Sequence, residues 1–195
     1  FDTDAFRHIM ELAMMGSGTG AMLEDSNIQS LPKICTKLNI IAIEPPGDVL
    51  PPDRLEHTDL LPLENGNIVI YVGDSRDGWV EAYRAIIELA TEEVKNKELN
   101  LIIDLGNVRP AGERLKGFGG TSNPVKLEDM FSRVTAILNN ACGRRLNSVE
   151  ACLLIDEASA CVVAGNIRRS AGMRQFSSND DLAADCKSGL YTQDE

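Results

Sequence analysis

Most of the familiar signatures of catalysis, metal binding and membrane residence are missing from this chain. Its five cysteines (Cys35, Cys142, Cys152, Cys161 and Cys186) are odd in number and form no CxxC pair, which argues against a disulfide framework and against a zinc site. They are expected to be small buried apolar side chains. Only two histidines occur, His8 in a helical stretch and His57 in a proline-rich one. Neither has a cysteine or serine beside it in a recognisable motif, so nucleophilic catalysis finds no support. There is no GxxxxGKS segment, which removes the P-loop nucleotidases. No apolar run approaches the roughly 20 residues of a membrane span, and no charged-then-apolar leader opens the sequence. The expectation is a soluble, cytoplasmic protein without a membrane partner. Positive charge is scarce as well: 19 Lys and Arg stand against 30 Asp and Glu, a net charge of −11, so a broad nucleic-acid surface is not expected. The 195 residues, 43% of them hydrophobic, allow one domain or slightly more. With Phe1 in place of a methionine and the polar run TQDE at the other end, the chain is expected to be a piece of something longer.

What is present is concentrated between Asn107 and Ala171. Residues 105–175 hold ten Lys and Arg against six Asp and Glu, a local positive field of the kind that attracts multiply charged anions. Two segments carry it, NVRPAGERLKGFGGTSNP (107–124) and AGNIRRSA (164–171). In and beside the first, Gly106, Gly112, Gly117, Gly119 and Gly120 let backbone N–H groups approach an anion, while Arg109, Arg114 and Lys116 supply charge-assisted donors. A helix beginning directly after the segment adds the positive end of its dipole. That inventory suits a polyphosphate; a surface loop joining strand to helix is the plainer alternative. In the second segment Asn166 can read a base edge, and Arg168 and Arg169 can stack on a base or hold phosphate, although adjacent arginines are also ordinary solvated surface charge. GDSRDGW (73–79) puts Asp74 and Ser75 at a strand-to-helix junction, where they either cap the helix or accept hydrogen bonds from a ribose hydroxyl. GSGTG (16–20) is preceded by a helix rather than a strand and so is not a dinucleotide fingerprint.

Apolar spacing predicts a helix over 4–15 (Phe6, Ile9, Met10, Ala13, Met14) that GSGTG stops. NIVIYV from 67 reads as a buried strand, followed by a helix with Trp79, Tyr83, Ile86, Ile87, Ala90 and Val94 on one face. LNLIID (99–104) returns as a strand, and the crossover length permits a parallel pair. Further helices are expected over Leu127–Ala141 and from Val149, with Ser148 as N-cap, then a strand near Met173–Phe176 and a short helix from about Asp180. Residues 24–66 carry six prolines and are expected to be mostly ordered loop, with one short strand over 38–43. AFRHIMELA (5–13) recurs as AYRAIIELA (82–90) with six of nine residues identical. Either two amphipathic helices coincide in composition, or they occupy equivalent positions about a pseudo-symmetric interface.

Taken in order, VGDSRDGW, NVRPAGERLKGFGGTSNP, ILNNACGRRLNSVE and VVAGNIRRSA resemble the central part of the adenosylcobalamin-dependent (class II) ribonucleotide reductases, specifically the monomeric ribonucleoside-triphosphate reductase type. The resemblance is carried by most of 1–20 and 67–181, and the proline-rich 24–66 adds nothing to it. It implies an α/β fold that is part of a ten-stranded α/β barrel with an inserted effector-site region. The implied division is 1–23 as barrel helix and glycine loop, 24–98 as insertion with effector-site strand and helix, and 99–195 as barrel segment with two specificity loops. It implies an oxidoreductase of deoxyribonucleotide biosynthesis, in which a cobalamin-generated thiyl radical reduces ribonucleoside triphosphates. An external dithiol such as thioredoxin supplies electrons, and deoxynucleoside triphosphates act as allosteric effectors. By resemblance Asp74, Ser75, Arg76, Arg109, Arg114, Lys116, Gly117, Gly119 and Gly120 bind the effector, with Asp74 and Ser75 at the sugar and Arg109 at phosphate. Asn166, Ile167, Arg168, Arg169 and Ser170 form the loop that relays effector identity to the substrate, and Gly16, Gly18 and Gly20 lie near the substrate. Helix 79–95 would imitate the helix that a partner subunit contributes in dimeric relatives, helix 4–15 being the original. The family's Asn-Pro-Cys-Gly-Glu-like radical motif and its redox cysteine pair are absent. None of the five cysteines is therefore expected to be catalytic, and the chain alone is not expected to turn over or to hold cobalamin. The alternative reading is a non-catalytic nucleotide-binding module, or a split-gene piece that docks with a complementary reductase fragment; a remnant that binds nothing is the third.

Overall fold

The computed structural model describes residues 2–114, 122–164 and 171–188. Its elements run α1 (Thr3–Met14), β1 (Thr19–Leu23), α2 (Asp25–Ser30), β2 (Lys37–Glu44), β3 (Asp59–Pro62), β4 (Ile68–Tyr71), α3 (Arg76–Thr91), β5 (Glu98–Asp104), α4 (Val125–Asn140), α5 (Ser148–Ala164), β6 (Gly172–Phe176) and α6 (Asp181–Asp185). This is the α/β class expected from the sequence. The strands form two open sheets, one of order β2-β5-β4-β3 and one of β1 beside β6. The β4–α3–β5 unit is parallel, as its crossover length allows, with Ile68 opposite Leu101 and Tyr71 opposite Asp104. β2 runs parallel to β5 on the other side, so the larger sheet draws strands from both sides of position 98. Among the described residues no helix is long and apolar enough to cross a membrane.

Alternation along β5 turns Leu101 and Ile103 into the core, where Ile70 and Val72 of the β4 segment join them, all fully buried. Helices α3 and α4 cover this face, and α1 and α5 pack on them in turn. Asn139 fastens α4 to the sheet edge: its side-chain oxygen accepts from the Leu38 amide at 2.9 Å and its Nδ2 donates to the Leu38 carbonyl at 2.7 Å. A side-chain amide thus imitates a neighbouring strand at one position of an otherwise open edge.

The repeated nonapeptide corresponds to two helices in direct contact, α1 and α3. Four buried positions coincide at the offset of the repeat, Phe6 with Tyr83, Ile9 with Ile86, Met10 with Ile87 and Ala13 with Ala90, whereas Leu89 is buried and its counterpart Leu12 is exposed. The exposed faces match too, since Arg7 pairs with Glu11 and Arg84 with Glu88. Any two amphipathic helices with this apolar spacing bury such a stripe, so both readings of the repeat stay open.

Several expectations are corrected. Residues 24–66 are mostly loop, as expected, but besides the strand over 38–43 they also contain α2 and β3. All four residues of β3 are exposed, so no alternation marks the strand. It is held as an edge by pairing with β4 through a turn in which Gly66 has φ 83°. Pro62 is tolerated on such an edge. Helix α3 stops at Thr91, before Val94, where the amides of Cys35 and Thr36 take the Ala90 carbonyl. Ser148 is not the N-cap of α5. Asn147 is, since its Oδ1 accepts from the Glu150 amide at 2.8 Å while Glu150 accepts from the Asn147 amide at 2.9 Å, a reciprocal capping box. The Ser148 hydroxyl donates instead to Asp180, the N-cap of α6. Of the cysteines only Cys161 is buried. Cys35 and Cys152 are half-buried, and Cys142 and Cys186 are exposed because they lie just past the ends of α4 and α6.

Candidate functional site

Three parallel strands, β2, β5 and β4, end on the same side of the larger sheet, and the segments that leave them meet there. Ligands of open α/β sheets bind outside such carboxyl ends. Asp74 arrives from β4, Arg109 from β5, and Arg54 from the long excursion after β2.

Asp74 and Arg109, which the sequence reading assigns to sugar and phosphate, hold each other. Oδ1 of Asp74 accepts from the Arg109 amide at 3.0 Å and from its Nε at 2.9 Å, while Oδ2 accepts from Nη2 at 3.0 Å. Both side chains are 12% exposed, so this forked, charge-assisted pair is well shielded from water. Arg54, 7% exposed, completes the group. Its Nη1 and Nη2 donate to the two carboxylate oxygens of Glu113 at 2.6 and 2.9 Å, its Nε to the Val49 carbonyl at 2.9 Å, and Nη1 also reaches Asp74 Oδ2 at 3.5 Å. The Glu113 carboxylate and the Asp74 charge hold the Arg54 guanidinium still more firmly in its charged form. Two guanidiniums therefore face two carboxylates, and the positive field expected around Arg109 is neutralised locally.

Ser75 takes the capping role. Its hydroxyl accepts from the Gly78 amide at 2.9 Å and donates to the Glu56 carbonyl at 2.6 Å. Segment 54–58 lies tightly over the start of α3: a Cβ at Gly73 would collide with the Glu56 carbonyl, and one at Gly78 would come within 2.8 Å of it. Thr58 bridges the same turn, accepting from the Gly73 amide and donating to the Gly78 carbonyl. Arg76 and Arg114 are exposed.

The stem of the first glycine-rich segment is closed by hydrogen bonds from Gly112 N to the Ser122 carbonyl and from Ser122 N to the Glu113 carbonyl. Lys116, Gly117, Gly119 and Gly120, and Asn166, Ile167, Arg168, Arg169 and Ser170 of the second segment, lie outside the described residues. Their flanks are informative. The short 141–147 connection makes α4 and α5 an antiparallel hairpin, and Arg133 meets Glu157 at 3.4 Å. That contact sets Val125, which follows the first segment, level with Ala164, which opens the second. Beyond the second segment the Ala171 carbonyl accepts from Thr19 N at 2.8 Å, and Arg174 of β6 donates to Asp156 of α5 at 3.1 Å. The end of AGNIRRSA is thereby brought against GSGTG. Gly16, with φ 75°, closes α1 through a Schellman arrangement in which Ser17 N donates to the Leu12 carbonyl and Gly16 N to the Ala13 carbonyl. Gly20 lies within β1. Sequence reasoning missed Arg54, Glu113 and Arg174, for which no spacing signal exists.

Comparison with known proteins points to one family. Residues 54–138 match the family described as B12-dependent ribonucleotide reductase, insertion domain. The chain is 33% identical over 186 residues to the adenosylcobalamin-dependent ribonucleoside-triphosphate reductase of Lactobacillus gasseri, covering 90% of the chain and 25% of the relative. It is 30% identical over 186 residues to the protein of the same name from Lactobacillus acidophilus, again covering 90% of the chain and 25% of the relative. The chain thus spans about a quarter of the length of these relatives. A crystal structure of a B12-dependent (class II) ribonucleotide reductase superposes with a TM-score of 0.77 at 27% identity, over 96% of this chain and 26% of that one. In sequence and in fold alike, the chain is therefore a relative of the adenosylcobalamin-dependent, class II ribonucleotide reductases and corresponds to one segment of the longer enzyme.

Proposed function

We propose that this chain carries the deoxynucleoside-triphosphate specificity site of a class II ribonucleotide reductase, and so belongs to the machinery that reduces ribonucleoside triphosphates for DNA synthesis. The observation that carries the reading is the meeting of Asp74 and Arg109 outside the carboxyl ends of parallel strands, at the foot of a glycine-rich cationic segment. Arg109 and the exposed Arg114 supply donors for a triphosphate, and Lys116 with Gly117, Gly119 and Gly120 extends that inventory. Asp74 offers acceptors to a ribose hydroxyl. The α4–α5 hairpin sets Val125 and Ala164, which flank the two segments, level with each other, and Asn166, Ile167, Arg168, Arg169 and Ser170 are assigned to the substrate relay by resemblance.

In this reading α3, in direct contact with α1, imitates a partner's helix, so that one chain suffices for the effector site. The radical chemistry, the adenosylcobalamin that starts it and the external dithiol that ends it belong to the whole enzyme. Among the described residues, the groove between β3 and α3, about 210 Å³ in volume and lined by Glu81, Glu88 and Glu92 beside Arg84, does not suit a corrin. A non-catalytic role for the cysteines is supported by their surroundings. Burial pushes the Cys152 thiol up to about 11 and the Cys161 thiol up to about 12, so both stay protonated at neutral pH.

Hydrogen exchange with and without each of the four deoxynucleoside triphosphates tests the reading. Slower exchange is expected at 72–78 and 107–114 with at least one of them; unchanged exchange in both segments with all four removes it. Sedimentation of the nucleotide-bound chain tests the imitation: a monomer is expected, and a strict need for a dimer contradicts it.

A further inference from the structure

Nε and Nη2 of Arg109 are taken by the Asp74 carboxylate and carbonyl and Nη1 donates to the Arg114 carbonyl at 3.3 Å, so a phosphate can be gripped by two prongs only if Arg109 turns from Asp74, and breaking that pair strands a carboxylate that is 12% exposed. Leaving a buried charge without a partner costs several kcal/mol, a penalty that would oppose any anion. The geometry points to Arg54 as the residue that removes this penalty. We infer that Arg54 is a positioning residue of the nucleotide site: it retains Asp74 when Arg109 turns from the carboxylate to a phosphate. The inference rests on the nucleotide reading above and adds to it how the site opens.

Three observations lead there. Arg54 is immobilised independently of Asp74, by two short bonds to Glu113 and one to the Val49 carbonyl. Its contact to Asp74 Oδ2 is the longest in the group, 3.5 Å, and so has room to tighten once Nη2 of Arg109 leaves. Asp74 Oδ1 also accepts from the Arg109 backbone amide at 3.0 Å, a bond that persists when only the side chain swings away. After the exchange Asp74 keeps one donor on each oxygen, its charge stays balanced by Arg54, and the lone pairs that Nε and Nη2 vacate are free for a sugar hydroxyl. The free site is thus held closed by a surrogate anion of the protein's own, and the second arginine makes that closure reversible.

Calorimetric titration with inorganic tripolyphosphate, which has charge but no sugar, tests this in four chains: the unaltered one, Arg54→Gln, Asp74→Asn and the double variant. Arg54→Gln is expected to weaken tripolyphosphate by about tenfold or more, because Arg109 is then the only cation left to Asp74. Asp74→Asn is expected to bind at least as tightly as the unaltered chain. The double variant should recover to within about threefold of Asp74→Asn, since without the carboxylate there is nothing for Arg54 to retain. A loss that persists in the double variant would mean that Arg54 only scaffolds the loop, and an unchanged affinity in Arg54→Gln would mean that it does nothing; either overturns the inference. Should Arg54→Gln melt below the working temperature, Arg54→Lys with and without Asp74→Asn carries the same comparison, as lysine keeps the charge but loses the two-pronged grip. Deoxynucleoside triphosphates that bind the unaltered chain and Arg54→Gln equally overturn this inference alone. An unaltered chain that binds neither them nor tripolyphosphate overturns the nucleotide reading with it.

Discussion

Asp74 and Ser75 are neighbours in sequence with different work. The serine hydroxyl is spent on the first turn of α3 and on the Glu56 carbonyl, whereas the carboxylate turns away to Arg109. Ser75→Ala is accordingly expected to lower the unfolding free energy by about 1 kcal/mol, the usual cost of a lost N-cap, as read by urea denaturation. His57 gives a pH-dependent effect. Its Nδ1 lies 2.9 Å from Glu81 Oε1, and this hydrogen bond, helped by the charges of Glu81, Glu56 and Asp77, raises its pKa above the ordinary 6.5. A raised folded-state pKa gives stability that is fully present below the unfolded value and is lost as pH climbs through the folded one. Glu81 also accepts from Thr58 N, so Glu81→Gln should lower the melting temperature by a constant offset plus a part that fades with pH. The difference between the two chains is expected to be larger near pH ~5.5 than near pH ~8.5; a pH-independent difference would contradict the pairing. Little of this was legible in sequence. No spacing connects Arg54 with Asp74 and Glu113, 20 and 59 residues away, because the link is made only when three strand ends converge.

At the scale of elements, legibility followed periodicity. Helices α1, α3 and α4 and strands β4 and β5 carry strong apolar spacing because each buries one face, and each was expected close to where it stands. Strand β3 has no buried face and leaves no such trace, although Asn65-Gly66 between two apolar runs is a hairpin signature that went unread. The α5 cap was misassigned by one residue because Asn147 and Ser148 both suit the position, and only the reciprocal Glu150 bond decides between them. Two side chains tie elements together. Asn139→Ala strips both Leu38 backbone groups of their partner and is expected to cost about 1–3 kcal/mol by chemical denaturation. Tyr83→Phe removes the buried bond from the phenol to the Leu154 carbonyl, 2.9 Å, that joins α3 to α5; about 1 kcal/mol is expected, and no change would mean that the bond contributes nothing net.

For the molecule as a whole, a chain of net charge −11 places two paired arginines, Arg54 and Arg109, outside the ends of its parallel strands. Acidic surroundings disfavour casual anion binding, so an affinity for triphosphates has to come from an organised site. Asp74 holds Arg109 in the chain, and α3 packs against α1. Calorimetric titration of the four deoxynucleoside triphosphates into the chain and into Arg109→Gln tests this most directly. At least one nucleotide is expected to bind in the micromolar range and to lose about tenfold or more in the variant; no heat from any of the four, or the same isotherm from both chains, would contradict it.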